Sequence, residues 1–324
     1  MTVNVLQPGL STTVQDLGRP GFYHVGIPLS GGMDRYALIA ANLLVGNDDG
    51  DAVLETTFLG PELQFLEDAL VAVTGADLPP LVDGVEQPVW EAFSIKAGQV
   101  LSFDYLRSGA RSYIAIAGGI DVPLALGSRS TYALGGLGGY QGRALKAGDM
   151  LSVGPAKRPA GPGRGIGPEL HPPLPTVTEL RMLPGLYWHR MTDEAAANFF
   201  EDVWKLAPEA DRIGGRFRGG RSPKLVDRPQ PFGAGSNPSN ITDACYPYGS
   251  IQIPGCLEPI VLHRDAVSVG GYFMVGTVIS ADMDLIGQLP PNAKTRFVKV
   301  DMEQALEARR AYRRRLDRLR ASLS

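Results

Sequence analysis

Residues 28–47, PLSGGMDRYALIAANLLVGN, run from a glycine pair directly into an amphipathic helix. Gly31 and Gly32 let the backbone approach a ligand with no side chain in the way, and the N–H groups of a helix start attract anions. Met33 adds a thioether able to press on a flat ligand or to fill a gap. Two readings stand: a cradle for a polar or anionic group, with Gly32→Val blocking entry and sparing the core, or a tight turn before a core helix. Asp34 is the natural N-cap, and with Glu55 it supplies the acidic catalytic candidates of this half. Glu55 lies in the apolar run AVLETTFLG, where a buried carboxylate must be paired or hydrogen-bonded. It is therefore either a structural anchor or an acceptor for a substrate nitrogen. In GSRST, Ser128, Arg129 and Thr131 offer polar contacts, and the fork of Arg129 matches a carboxylate bidentately, with a loop-fixing salt bridge as the alternative. Further on, Gln252 and the run Gly270, Gly271, Tyr272 suggest a binding floor of amide, bare backbone and aromatic wall. Glycine pairs in strands also serve as bends.

These residues need elements to hold them. Asp34 opens the helix, Tyr36, Ala40, Leu43 and Leu44 share a stripe, and Gly46 with Asn47 stops it. Elsewhere 40 glycines and 26 prolines in 324 residues leave room for many short strands and few long helices. LVAVTGAD (70–77), GQVLSF (98–103), RSYIAIAGG (111–119) and GDMLSVG (148–154) read as strands, as do IQIP, PIVLHRD, GYFMVGTVIS and TRFVKVD beyond them. A helix is expected around 192–204. Strands alternating with long helices are missing, so a doubly wound sheet is rejected. The sequence predicts a mainly β chain with two barrel-like domains and a few short helices. The divisions fall at 1–155, a Pro/Gly-rich linker at 156–175, a second domain at 176–301, and a basic helix at 302–324.

The 31 basic and 34 acidic side chains give a net charge of -3, which offers no general attraction to nucleic acid or to an anionic membrane. Only RRAYRRRLDRLR near the end is strongly basic, read as a solvated terminal helix or a contact between subunits. No apolar run reaches the ~20 residues of a membrane span, and no signal-like start is present. A cytoplasmic protein with Cys245 and Cys256 reduced is the expectation. The scattered histidines, His24, His171, His189 and His263, lack zinc spacing, so no metal is expected. There is no P-loop and no nucleophile elbow.

Several phrases carry a resemblance. VLQPGLSTTVQDLGRPGFYHVGIPLSGGMDRYALIAANLLVGN, LETTFLGPELQF, RSYIAIAGGIDVPLALGSRST and GGYFMVGTVISAD closely resemble the biotin-dependent carboxyltransferase family, also called allophanate hydrolase subunit 2. That family includes the KipA-like C subunit of ATP-dependent 5-oxoprolinase. The resemblance runs from about Val5 to about Val300. It implies two tandem β-barrels, with a cyclophilin-like barrel at 176–301, and chemistry on a small amide-like carbonyl compound.

Free-standing chains of this length in the family are usually one subunit of a 5-oxoprolinase, which opens 5-oxoproline to glutamate with ATP. The resemblance thus implies two partners, a KipI-like B subunit and a LamB/YcsF-like A subunit, without which the chain is expected to be inactive. No cofactor is expected on this chain alone, and without a nucleotide motif the ATP site is assigned to a partner. Fused relatives form part of urea carboxylase, where a carboxyl group passes from carboxybiotin to urea. With no Met-Lys-Met motif here, biotin would arrive on a separate carrier, and Arg129 would be its carboxylate partner. A KipA-like regulatory role, binding a KipI-like kinase inhibitor, is the third reading. The sequence departs from its relatives at CLEPIVLHRD, with His263, Arg264 and Asp265 in place of a commoner ending, and at VGGY in place of TGGY, so the substrate is open to differ from 5-oxoproline.

Overall fold

A computed structural model describes residues 1–323. The chain packs as two units, one made of 1–19, 30–173 and the segment from Arg314 onward, the other of 20–29 and 174–313. Pro20–Leu29 thus joins the second unit, although its place in the sequence lies inside the expected first domain.

In the first unit a six-stranded antiparallel sheet runs Met150–Ser152, Thr2–Gln7, Glu62–Phe65, Val100–Phe103, Pro80–Val82 and Val85–Glu86. A five-stranded sheet runs Thr12–Gln15, Val53–Thr57, Ser108–Ile116, Ala69–Asp77 and Ala92–Ile95. Alternate residues of both sheets, among them Val3, Leu63, Phe65, Leu54, Val73 and Ile114, fill one core. The helix Arg35–Leu44 packs on the other side of Ala69–Asp77 and Ser108–Ile116, where Thr74 Oγ1 donates to Ala37 O at 2.7 Å. That cover explains why RSYIAIAGG reads as a nearly continuous apolar run. Ile114 and Ile116 enter the sheet core while Tyr113 faces the helix start.

The second unit holds a closed barrel in the order Val177–Pro184, Met274–Val278, Ser250–Gln252, Ile260–Leu262, Gly214–Arg218, Trp204–Leu206 and Lys294–Lys299, which returns to Val177–Pro184 by a parallel pairing. The helix Asp193–Glu201, capped by Thr192, plugs it with Phe199 stacked on Phe297 at 4.8 Å. GYFMVGTVIS, expected as one strand, is broken at Phe273, which is fully buried and gives its N–H to Ser239 O at 3.0 Å. Val269–Tyr272 pairs instead with Asn240–Cys245 in a separate ribbon, and the barrel strand begins at Met274.

The Pro/Gly-rich stretch 156–175 is packed rather than free over much of its length. Ile166 N donates to Trp90 O at 3.0 Å, His171 stacks on Trp90 at 4.7 Å, and Leu170 is buried. The basic tail forms the helix Met302–Ser322. Arg315 lies over the Tyr36 ring at 4.5 Å and donates to Leu170 O at 3.0 Å, and Arg320 pairs with Asp49 at 2.7 Å. Cys245 and Cys256 are both free thiols. No helix among the described residues is long and apolar enough to cross a membrane.

Candidate functional site

The glycine pair and helix start are buried, with Met33 and Asp34 each 2% exposed. Their N–H groups have acceptors within the chain. Gly31 N donates to Gln15 Oε1 at 3.1 Å and Gly32 N to Asp16 O at 2.9 Å. Met33 N donates to Glu55 Oε2 at 2.8 Å and Asp34 N to the Tyr113 phenol oxygen at 2.7 Å. The sequence expectation of an N–H cradle for a substrate group is therefore corrected: burial forced these donors to find partners, and the fold supplies all four. The other half of that expectation changes too. A Cβ on Gly32 would stand 2.6 Å from Leu38 Cδ1 and 3.3 Å from Tyr113 Cε1, so a larger residue strikes the core.

The two acidic candidates meet in this network. Asp34 Oδ1 accepts from Ala37 N at 2.9 Å as the helix cap. Glu55 Oε2 also accepts the Tyr113 hydroxyl at 2.8 Å, and Arg111 Nε lies 3.9 Å from Glu55 Oε1. Burial, reinforced by the charges of Glu55 and Asp34, holds the Tyr113 phenol well above its ordinary range, so it remains a donor. Of the two roles open to Glu55, these bonds are those of an anchor.

The GSRST loop is held by a residue that sequence reasoning missed. Asp16, 7% exposed, accepts from Gly18 N at 2.7 Å, Ser128 Oγ at 2.6 Å, Arg129 N at 2.6 Å and Ser130 Oγ. Thr131 Oγ1 donates to Val14 O at 2.9 Å, and Gln15 Nε2 donates to Thr131 O at 3.2 Å. Gln15 and Asp16 thus stitch together two candidate clusters that lie far apart in sequence. Arg129 uses its side chain on Val122 O at 2.8 Å and on Asp121 Oδ1 at 3.0 Å, the loop-fixing alternative. Asp121 and Val122 edge a cleft of about 440 Å³ whose far wall is glycine-rich, with Tyr140 beside it. The spacing Asp16-x-Gly18 was a legible signal for an Asx turn, though not for the loop it holds.

In the second unit Gln252 and Tyr272 do come together, through Tyr246. The Tyr246 hydroxyl donates to Tyr272 O at 2.6 Å and accepts from Tyr272 N at 2.8 Å, and the Gln252 side chain acts on it from nearby. Burial pushes this phenol up. Gly270 lies against the same ring, where a Cβ would stand 2.8 Å from Cε2, whereas a Cβ on Gly271 would meet only Ile241 O at 3.4 Å. Tyr246 carried no motif and was not foreseen. Of the departures from the family pattern, His263, Arg264 and Asp265 are buried, with His263 Nε2 3.0 Å from Met283 O, Arg264 on the Tyr248 ring at 4.6 Å and Asp265 paired with Arg212 at 2.8 Å, whereas Val269 is exposed. Among the described residues no group of three or more His, Cys, Asp or Glu side chains is placed to hold a metal ion.

Comparison with known proteins adds to this geometry. The family model for the carboxyltransferase domain, subdomains A and B, matches residues 25–299. The chain is 36% identical over 319 residues to the C subunit of 5-oxoprolinase from Escherichia coli K12, covering 98% of this chain and 97% of that protein. It is 35% identical over 311 residues to the urea amidolyase of Saccharomyces cerevisiae, covering 94% of this chain but 17% of the yeast protein. The solved urea carboxylase of Kluyveromyces lactis superposes with a TM-score of 0.91 at 34% identity, over 100% of this chain and 30% of that one.

Proposed function

The chain belongs to the carboxyltransferase-domain family, and from that premise we propose that it is one subunit of a multi-subunit, ATP-dependent 5-oxoprolinase. The observation that carries this reading is the end-to-end match: 98% of this chain aligns with 97% of the bacterial C subunit, whereas the fungal enzymes extend far beyond it. A KipI-like B subunit and a LamB/YcsF-like A subunit are the proposed partners.

Opening a lactam adds the elements of water across a stable C–N bond, and the carbonyl must be activated first. A chain with no nucleotide-binding motif leaves that use of ATP to a partner. Asp34, as helix cap, and Glu55, held by Met33 N, Tyr113 and Arg111, are committed to the fold. In this reading the substrate lies on the Gln252, Tyr246 and Tyr272 floor, where an amide side chain can match the lactam N–H and C=O. The test is to co-purify the three chains and measure glutamate released from 5-oxoproline with and without ATP. A folded complex that releases none overturns the proposal.

A second reading, carboxyl transfer to urea or a related amide, is supported by the likeness to the Kluyveromyces lactis urea carboxylase. Biotin would come on a separate carrier, so sensitivity of the reaction to avidin separates the two: only the carboxyl-transfer route is blocked.

A further inference from the structure

We propose that Arg190, with Arg228 beside it, forms a recognition site for a small carboxylate in the second unit. Arg190 is 9% exposed, and its Nη1 is buried with no hydrogen-bond acceptor among the described residues. Its guanidinium covers the Tyr187 ring at 4.4 Å. Burial, and after it the like charge of Arg228, draws its proton affinity down. Among the described residues Arg228 contacts only neutral acceptors, Gln230 Oε1 at 3.3 Å and Asn240 O at 3.5 Å.

A buried cation is costly unless paired, and the like charge of Arg228 adds to that cost at Arg190. No carboxylate of the described residues forms an ion pair with either, so the arrangement calls for an anion from outside the chain. The backbone that presents Arg190 is pinned, its N–H to Tyr187 O at 3.0 Å and its carbonyl to Val226 N at 2.8 Å. The side chain is therefore positioned before a ligand arrives. Among the described residues Arg264 also lacks an acceptor at its buried Nε, where its guanidinium lies over the Tyr248 ring at 4.6 Å.

The face of the Arg190 guanidinium is taken by Tyr187, which leaves its edge, and that planar fork suits the coplanar oxygens of a carboxylate. A phosphate site built from successive backbone N–H groups would look different. The site also borders the floor described above. Arg228 binds the carbonyl of Asn240, which pairs with Tyr272. A ligand that spans the two carries a carboxylate and an amide in one small molecule. Identifying it as 5-oxoproline rests on the functional reading above; the carboxylate class does not.

The experiment is calorimetric titration of the full chain with L-5-oxoproline, with 2-pyrrolidinone (the same lactam without the carboxylate), with N-acetylglycine and with inorganic phosphate. Wild type is expected to bind at least one of the two carboxylates, Arg190→Gln to weaken it roughly tenfold or more, and 2-pyrrolidinone to show no dependence on Arg190. Arg190→Lys, which keeps the charge and loses the fork, is expected to fall between them. Should Arg190→Gln fail to fold by circular dichroism, Arg228→Gln, expected to weaken the carboxylate roughly threefold or more, supplies the comparison. Equal carboxylate binding in wild type and the folded variant, no carboxylate binding at all, or tighter and Arg190-dependent phosphate binding each overturn the site. Arg190-dependent binding of N-acetylglycine in a protein whose complex releases no glutamate keeps the site and removes the 5-oxoprolinase reading. Undiminished glutamate release by an Arg190→Gln complex does the reverse.

Discussion

Gly32→Val distinguishes a core turn from a ligand cradle. A Cβ at this position stands 2.6 Å from Leu38 Cδ1 and 3.3 Å from Tyr113 Cε1, and both residues are fully buried. Valine adds two more carbons beyond that point. Overpacking of this kind costs about 1–3 kcal/mol. Displacing Tyr113 also loosens the hydroxyl that serves Asp34 N and Glu55, at about 1–3 kcal/mol for bonds of this type. The first unit should therefore lose about 3 kcal/mol or more. Leu38→Ala alone should cost about 3–5 kcal/mol through its cavity. Because the alanine removes the atom that the valine strikes, the double variant should lose less than the sum by over ~1 kcal/mol. Hydrogen exchange of the helix 35–44 and of strand 108–116 reports the stability of this region directly. Additivity within about 0.5 kcal/mol, or wild-type protection in Gly32→Val together with lost substrate binding, would refute the packing argument and restore the cradle.

Three further outcomes are expected. Asp16→Asn turns one acceptor oxygen into a donor facing Arg129 N, a bond now 2.6 Å long, and removes the charge that strengthens three others; a loss of about 2–4 kcal/mol should appear as faster exchange across 122–140, and unchanged exchange would count against the network. Glu55→Gln removes the buried charge that accepts from Met33 N and Tyr113 and faces Arg111 and should cost about 3 kcal/mol, read as a lower melting temperature, while an unchanged melt would mean that Glu55 carries no structural charge. The hydrogen bonds from Arg143, helped by Lys146 N, hold the Asp149 carboxyl below its usual range. A depressed carboxylate stabilises the fold above its unfolded pKa of about 3.9 and loses that contribution as pH falls through the folded value. The gap in melting temperature between wild type and Arg143→Gln should be open at about pH 7 and narrow as pH falls below the unfolded value of about 3.9, and a pH-independent gap would sink the assignment.

What could be read in the chain follows from the range of each interaction. The helix from Asp34 was legible because its cap, stripe and stop are local, and strands such as 70–77 and 111–119 because their apolar runs are long. The break at Phe273 was not, since what divides GYFMVGTVIS is burial of one ring and a bond to Ser239, both set by the tertiary fold. Pro20–Leu29 likewise gave no compositional sign of packing with the second unit, where Tyr23 O accepts from Ser268 Oγ at 3.0 Å. The candidate residues were chosen by type, and type does not say whether a donor is already taken. Gly31 to Asp34 looked open only because Gln15, Asp16, Glu55 and Tyr113, their acceptors, come from elsewhere in the sequence.

That difference separates scaffold from ligand chemistry in this protein. Where a buried polar group has found its partner inside the chain, as with the carboxylates of Asp16 and Glu55, the interaction energy is spent on holding the fold, and a substrate would have to break it. Where a buried group lacks one, folding has left a desolvation cost that only a ligand can offset, and binding there gains what folding did not. The first-unit candidates fall in the former class. Arg190 falls in the latter. The N–H groups of the first-unit glycine loop, for all their likeness to an anion site, are taken by partners within the chain, and Arg190 is the place to test for recognition of a carboxylate.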